Sequence, residues 1–472
     1  MAEYHLDKKT KYIYGIGAAP FGIKENGFSY FLLIFYSQVL GLEPVLTSLA
    51  LTIAIAVDAV TDPLIGYISD NWRSKWGRRH PFMYWSIVPI CISYAVMWNP
   101  PEFIIASQTN LFLYLVSIAV LIRVFLTFFE VPNTALISEL TSDYDVRTEM
   151  MGLRFMFGWL GGIGMAFLAY STFLADKGDG NGILQASGYA QYGLAAAVLM
   201  FVLMTLSSLG THKTIPHLHV PPQREKVTPS LVFAEILEVM RNRNFLALFL
   251  ASVFFGTAAG FQAALSLYFH TFFWELQPSQ LAIFTMFQAL AAVCAVPIAR
   301  VLGGRFDKKR AALGAFLCML VVGPSMWLAR LADLLPANGD PSLFPMLLAH
   351  NFTQVLIIIV FYILFGSMMA DVVEDSAVDT ARRSEGVIFA ARAFAGKMVA
   401  GVGILLAGLV LSLINLPRDA KPEDVDPEIL VNLVYHAVPI EAFFYLTAFF
   451  MLRRYHITRS KHGDNVAAVA QL

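Results

Sequence analysis

The feature that most constrains this chain is a series of long apolar runs, each about the length needed to cross a lipid bilayer. They fall at 13–40, 45–69, 81–99, 109–138, 151–174, 188–209, 243–273, 280–303, 309–331, 342–370, 386–415 and 430–453. A hydrocarbon layer about 30 Å thick takes roughly 20 apolar residues per helical crossing. Within it every backbone N–H and C=O needs a partner inside the protein, which a helix supplies from its own residues. Twelve crossings with short connections nearly exhaust the 472 residues. Composition agrees: 57% of residues are hydrophobic and 14% charged, against about 25% charged in soluble domains. The expected fold class is all-α, a polytopic membrane protein with 12 transmembrane helices.

The same inventory excludes other classes. A net charge of −1 gives no electrostatic case for nucleic acid. Cys91, Cys294 and Cys318 all sit in apolar runs with no CxxC spacing, so neither a disulfide framework nor a zinc site is expected. No HExxH, GxSxG or histidine cluster occurs, so an enzyme is not expected and no cofactor is called for. The first eleven residues are polar and the first run is long, so that run reads as a retained helix, not a cleaved leader.

Lysine and arginine placement predicts orientation. With an even number of spans, both termini share one side. The tails and the connections on that side carry 24 basic residues, among them Lys8, Arg73, Arg78, Arg79, Arg147 and Lys308. The opposite side carries four: Lys177, Arg330, Arg418 and Lys421. Both termini are expected in the cytoplasm, with the chain a multi-pass protein of the inner or plasma membrane.

The longest cytoplasmic connection, Thr211–Arg243, holds Pro216, Pro221, Pro222 and Pro229 and splits the chain near its middle. The predicted organisation is an N-terminal six-helix bundle (1–210), a cytoplasmic linker (211–242), a C-terminal six-helix bundle (243–455) and a cytoplasmic tail (456–472). Within the linker, SLVFAEILEVMR (Ser230–Arg241) has the spacing of an amphipathic surface helix. An internal echo relates the halves. YGIGAAPFG opens span 1 and FGTAAGFQ lies in span 7; GRRHP follows span 2 and GGRFDKKR follows span 8. Paired six-helix halves with a site at the membrane midplane describe many secondary carriers.

Ionisable groups near the bilayer centre each cost roughly 2.5–3.5 kcal/mol on insertion scales. This chain keeps about nine: Lys24, Glu25, Asp58, Asp62, Arg123, Glu130, Arg154, Arg392 and Lys397. Such groups must face one another or a polar interior. Asp58 and Asp62 are four apart, so their carboxylates share a helix face. A cation or a proton between them relieves their repulsion, and Thr61 or Thr127 can add an oxygen. The alternative is that each carboxylate pairs with Lys397 or Arg123 as a link between helices. Arg123, Thr127 and Glu130 form one stripe of span 4, followed by Pro132 and Asn133. Arg123 paired to a span 2 carboxylate is the alternative to a solute contact there. Gln262, Gln288, His350, Asn351 and Gln354 read as helix-to-helix hydrogen bonds.

The run DAVTDPLIGYISDNWRSKWGRRHPF resembles the span 2 and loop signature of the glycoside–pentoside–hexuronide cation symporters, a family of the major facilitator superfamily that includes melibiose permease. FFEVPNTAL, ADVVEDSAVDTARRSEG and AFAGKMVAG extend the resemblance along the chain. It implies the major facilitator fold, two pseudo-symmetric bundles, with a cation site at Asp58, Asp62, Thr127 and Glu130. It implies that Glu130 and Arg154 contact the solute, with Lys397 as charge partner of the cation site; Lys24, Glu25, Arg123 and Asn133 join the candidate substrate site as polar groups at membrane depth. Arg78, Arg79 and Arg147 are the candidate cytoplasmic gate. Three positions differ from the family pattern: Gly22 stands where sugar-binding members carry an acid in span 1, Glu130 replaces an aspartate, and Arg123 is an extra charge.

The expected activity is cation-coupled (Na+ or H+) symport of a sugar, glycoside or hexuronide by a monomer in the lipid bilayer. The alternative is a lysophospholipid or other amphiphile carrier of the same fold, since the broader family is similar to such eukaryotic carriers. A solute sensor that does not transport is the third reading. No metal is expected beyond a transported Na+.

Overall fold

The structure, a computed structural model, describes residues 6–141, 143–176, 178, 181–218, 240–380, 385–418 and 420–457; the side chains of 144–145, 373–374, 376–380, 385–395 and 397 are not described. The linker helix expected at Ser230–Arg241 therefore lies outside the described residues except for its last two, as does the tail beyond residue 457. The described residues form helices and turns without a strand. Nine helices among them are long and apolar enough to cross a membrane.

In chain order, α1 is a composite of Lys8–Ile16, Ala19–Asn26, Gly27–Phe31, Leu32–Ile34 and Phe35–Val39. It is followed by α2 (Pro44–Asn71), α3 (His80–Met97), α4 (Gln108–Ala135), α5 (Tyr144–Leu168) and α6 (Ala186–His212). The second set is α7 (Arg243–Tyr268), α8 (Pro278–Arg305), α9 (Lys308–Leu331), α10 (Leu343–Thr380), α11 (Glu385–Leu413) and α12 (Pro427–Arg453). Large apolar side chains stand on outward faces: Trp85 is 78% exposed and Val321 71%. Acyl chains are the natural solvent for such faces.

The chain divides into two compact units. The first comprises Met1–Gln223, Ser266–Ala282 and Leu411–Val425; the second Arg224–Leu265, Ile283–Val410 and Asp426–Leu472. In the first unit α2 and α3 pack on α4, while α5 packs on α1. Glycines let α1 and α5 touch backbone to backbone. A Cβ at Gly22 would collide with the Gly158 carbonyl, and one at Gly161 would lie 2.6 Å from the Ala19 carbonyl oxygen. Small residues do this work in membranes because lipid gives helices no hydrophobic push toward each other. They also explain why no acid can stand at position 22. An aromatic nest closes the far end of this unit, with Trp98 stacked on Tyr189 (5.7 Å) and Phe31 edge-on to Tyr192 (5.3 Å).

Four π turns lie among the described residues of this unit: two within α1, one following α5 (Ala169–Phe173) and one following α7 (Phe269–Phe273). Each inserts an extra residue and turns the following side chains about the helix axis. Through them Tyr36 Oη donates to the Met97 carbonyl at 2.8 Å, and Ser37 and Tyr268 meet hydroxyl to hydroxyl.

The second unit repeats the plan. Its core joins Phe255, Phe316, Phe361 and Tyr445, with Phe316 and Phe361 centroids 4.5 Å apart. Here α7 and α11 approach through glycine: a Cβ at Gly260 would lie 2.5 Å from the Ala400 carbonyl oxygen, and one at Gly403 would strike the Thr257 carbonyl. The α1–α5 contact thus has its counterpart in α7–α11. The basic loops after α2 and α8 correspond too. Arg78 and Arg79 hold Glu139 beyond α4, and Lys308 holds Asp371 on α10 at 2.7 Å.

A valine at Gly22 is expected to pry α1 from α5 and cost about 1–3 kcal/mol, as overpacking does. A valine at Gly164, where a Cβ meets nothing within 4 Å, is expected to be silent. The detergent-solubilised melting midpoint distinguishes them.

Candidate cation and solute site

The first unit gathers most of the intramembrane charges into two adjoining clusters. The first is built on α2 and α4. Asp58 and Asp62 sit one turn apart on α2, and Thr127 on α4 faces both. Its Oγ1 lies 3.1 Å from Asp58 Oδ1 and 2.9 Å from Asp62 Oδ1. A hydroxyl carries one proton and can donate only one hydrogen bond at a time. Three oxygens this close, two from carboxylates, make a donor set suited to a hard metal cation or a proton. Asp58 and Thr127 are buried, Asp62 half-buried. Asp62 precedes Pro63, whose missing N–H leaves the Ala59 carbonyl without its helical partner.

Arg123, one turn before Thr127, donates from Nη1 to Asp58 Oδ2 at 3.1 Å. The ion pair weighed against a solute contact for Arg123 is thus present. Its guanidinium also lies over the Phe28 ring at 5.0 Å. Lys24 on α1 is 2% exposed, pairs with Glu25 at 2.5 Å and lies over Phe21 at 4.8 Å. Glu25 keeps 46% of its side chain exposed. Among the described side chains here, three are acidic (Glu25, Asp58 and Asp62) and two basic (Lys24 and Arg123).

The second cluster sits on α4 and α5. Arg154 Nη2 donates to Glu130 Oε1 at 2.5 Å and to Thr134 Oγ1 at 2.6 Å, and Nη1 donates to Asn133 Oδ1. Asn133 passes the network to Ser207 on α6 at 3.3 Å, and the guanidinium faces the Tyr14 ring at 5.3 Å. Glu130 Oε2 is buried with no hydrogen-bond partner. The stripe of α4 therefore divides: Arg123 and Thr127 turn to the aspartates, and Glu130 turns to Arg154. Tyr14, Thr134 and Ser207 complete this cluster without having stood out in the sequence, because uncharged polar side chains are ordinary in membrane helices.

Three other expected positions form a separate knot beyond the ends of α2 and α4. Arg78 and Arg79 reach Glu139 Oε1 at 2.7 and 2.8 Å, and Arg79 also holds Ser69 at 2.7 Å and pairs with Asp70. Arg147 donates to the Thr141 carbonyl at 2.8 Å. All of these bonds lie within the first unit. The side chains of Lys397 and Arg392 lie outside the described residues. In the second unit Gln262 bonds Glu441 on α12, at 3.1 Å, and His350 bonds the Val322 carbonyl at 2.7 Å. Gln288 reaches Asn351 at 3.5 Å. Glu441 was not singled out in the sequence; an acid in the middle of the run VYHAVPIEAFFYL was the signal that could have found it.

Comparison with known proteins supplies independent findings. A family model described as MFS/sugar transport protein matches residues 13–459. The protein of Escherichia coli named "Putative glycoside/cation symporter YagG" is 24% identical, over 97% of this chain and 93% of that protein. The isoprimeverose transporter of Lactiplantibacillus pentosus is 23% identical, over 81% and 76%. The sodium-dependent lysophosphatidylcholine symporter 1 of Mus musculus is 29% identical over 31% of this chain and 28% of its own. In fold the chain is similar to the crystal structure of nucleoside transporter NupG, with a TM-score of 0.61 at 12% identity over 96% of this chain and 100% of that one.

Proposed function

The chain belongs to the MFS/sugar transport protein family, and from that premise we propose that it is a cation-coupled symporter of a sugar, glycoside or hexuronide. The observation that carries the reading is Thr127, whose single hydroxyl lies within hydrogen-bond distance of two carboxylates. A Na+ or H+ entering among Asp58, Asp62 and Thr127 relieves the repulsion between the two carboxylates. With neither a cation nor Lys397 upon them, the two carboxylates resist enclosure in low dielectric. Loading therefore favours the closed intermediate, and cation and solute cross together. Lys397 is the charge partner that competes for the aspartates when the cation has left.

The solute is held next door. Arg154, fixed by Glu130, Asn133 and Thr134, presents donors, and Glu130 Oε2 presents an acceptor. Vicinal hydroxyls of a sugar ring match such an alternation of donors and acceptors. Lys24, Glu25 and Arg123 border the cation cluster and extend the solute site. Arg78, Arg79 and Arg147 form the cytoplasmic gate, which exchanges its bonds to Glu139 and nearby carbonyls as access alternates. The reading is of a monomeric carrier, not an enzyme, in the cell membrane with both termini cytoplasmic. The similarity to the mouse symporter favours one second reading, an amphiphile such as a lysophospholipid as solute.

Thermal-shift measurements on the purified protein test this directly. A bound solute at 100 times its Kd stabilises by about 2.7 kcal/mol. A sugar, glycoside or uronide is expected to raise the midpoint only when Na+ or a low pH accompanies it. A panel in which lysophospholipid alone gives the cation-dependent shift would transfer the assignment to the amphiphile.

A further inference from the structure

The second unit holds an ionisable group that neither cluster above uses. Glu441 lies mid-helix on α12 and is 6% exposed. Its one hydrogen bond among the described residues comes from Gln262 Nε2 on α7, at 3.1 Å to Oε1. Gln354 on α10 converges on the same place. A Cβ at Gly323 of α9 would lie 3.9 Å from Glu441 Oε1 and 3.8 Å from Gln354 Nε2. One turn before Gln354, His350 donates from Nε2 to the carbonyl of Val322, the neighbour of Gly323. A carbonyl can only accept, so His350 is protonated on Nε2.

The surrounding helices offer Glu441 no cation among the described residues. Within a turn of its contact, α7 carries Gln262 and no titratable side chain, and α9 carries none. From α10 the titratable group is His350, and on α12 itself they are His436, which is bonded to the Asn432 carbonyl, and Tyr445. The contrast with Asp58, which has Arg123, is direct. An ionised carboxylate buried with one amide donor is poorly compensated, and such groups neutralise instead. The neutral acid has its carbonyl oxygen on Gln262 and its proton on Oε2.

We propose that Glu441, with Gln262, Gln354 and His350 around the Val322–Gly323 turn of α9, forms a proton-binding site of the second unit, separate from the cation cluster of Asp58, Asp62 and Thr127. The site is independent of the symport reading, since it binds a proton whichever cation the aspartates carry. Glu441 is the proton carrier, Gln262 positions it, and His350 is the neighbouring base. The protein thus carries a proton-sensitive element on α12 besides its cation cluster.

Infrared difference spectra of the purified full-length protein, recorded as pH is stepped with no solute present, read this site directly. A carboxylic-acid carbonyl band that shifts in D2O is expected in the wild type and in Asp62→Asn, at any Na+ concentration. It should be lost in Glu441→Gln and kept, with a displaced titration, in Glu441→Asp. If Glu441→Gln does not yield monodisperse protein, Gln262→Leu serves: the band should move to the frequency of an acid without a hydrogen bond. A band that survives Glu441→Gln when Asp62→Asn is also present, ignores Gln262→Leu or disappears in Asp62→Asn overturns the proposal.

Discussion

Asp62→Asn is expected to abolish cation-driven accumulation of solute in proteoliposomes. The substitution keeps the side chain's shape and leaves Thr127 an amide oxygen to donate to, so the packing of α2 on α4 is preserved. What it removes is one of the two carboxylates that face Thr127. Asp58 is already paired to Arg123, so an entering cation loses the carboxylate that would offset it. Removing one charged member of such a buried set costs about 3–5 kcal/mol, so cation affinity should fall at least about 100-fold. Counterflow, which needs no net cation movement, should survive better than accumulation. Thr127→Val supplies a graded comparison, since it keeps both charges and removes the bridging oxygen; Thr127→Ser should behave as wild type. Full accumulation by Asp62→Asn would remove the aspartates from the coupling mechanism.

What could be read in advance follows from what leaves a periodic trace. Long apolar runs mark the spans because a helix is the only local way to satisfy the backbone in lipid. Asp58 and Asp62 could be put on one face by spacing alone, and Thr127 faces them. The interruptions of α1 could not be read. A π turn adds a residue without changing composition, and Gly27–Phe31 and Phe35–Val39 look like any apolar helix in sequence. α10 runs on to Thr380, past the apolar run ending at 370, because ADVVEDSAVDT continues the helix with polar side chains. The stripe of α4 misled in one respect: Glu130 faces Arg154, a partner on α5 that spacing along one helix cannot reveal. Glu441 passed unseen for a related reason. It has no charged companion a turn away, and its significance comes from α7, α9 and α10.

The second large effect concerns Arg154, and a double substitution separates its two roles. Arg154→Gln alone takes the charge partner from Glu130 and leaves it Thr134, with one carboxylate oxygen already unpaired. Breaking a buried pair from one side costs about 3–5 kcal/mol because the other charge stays behind, so both the melting midpoint and transport should collapse. Glu130→Gln with Arg154→Gln removes both charges, and replacing a whole pair by neutral groups is often close to energetically neutral. If the pair only ties α4 to α5, the double variant regains stability and transport together. If Arg154 and Glu130 hold the solute, as proposed, stability returns while uptake stays at least about 100-fold down, the loss expected when two charge-assisted hydrogen bonds to a hydroxylated solute disappear. Cation-dependent thermal shifts then report on Asp58, Asp62 and Thr127 without the solute. A double variant that still shows a Na+ or proton response but no solute response would assign the two clusters their separate partners. Recovery of uptake by the double variant would reduce Arg154 to a strut between helices and move the solute to Lys24, Glu25 and Arg123.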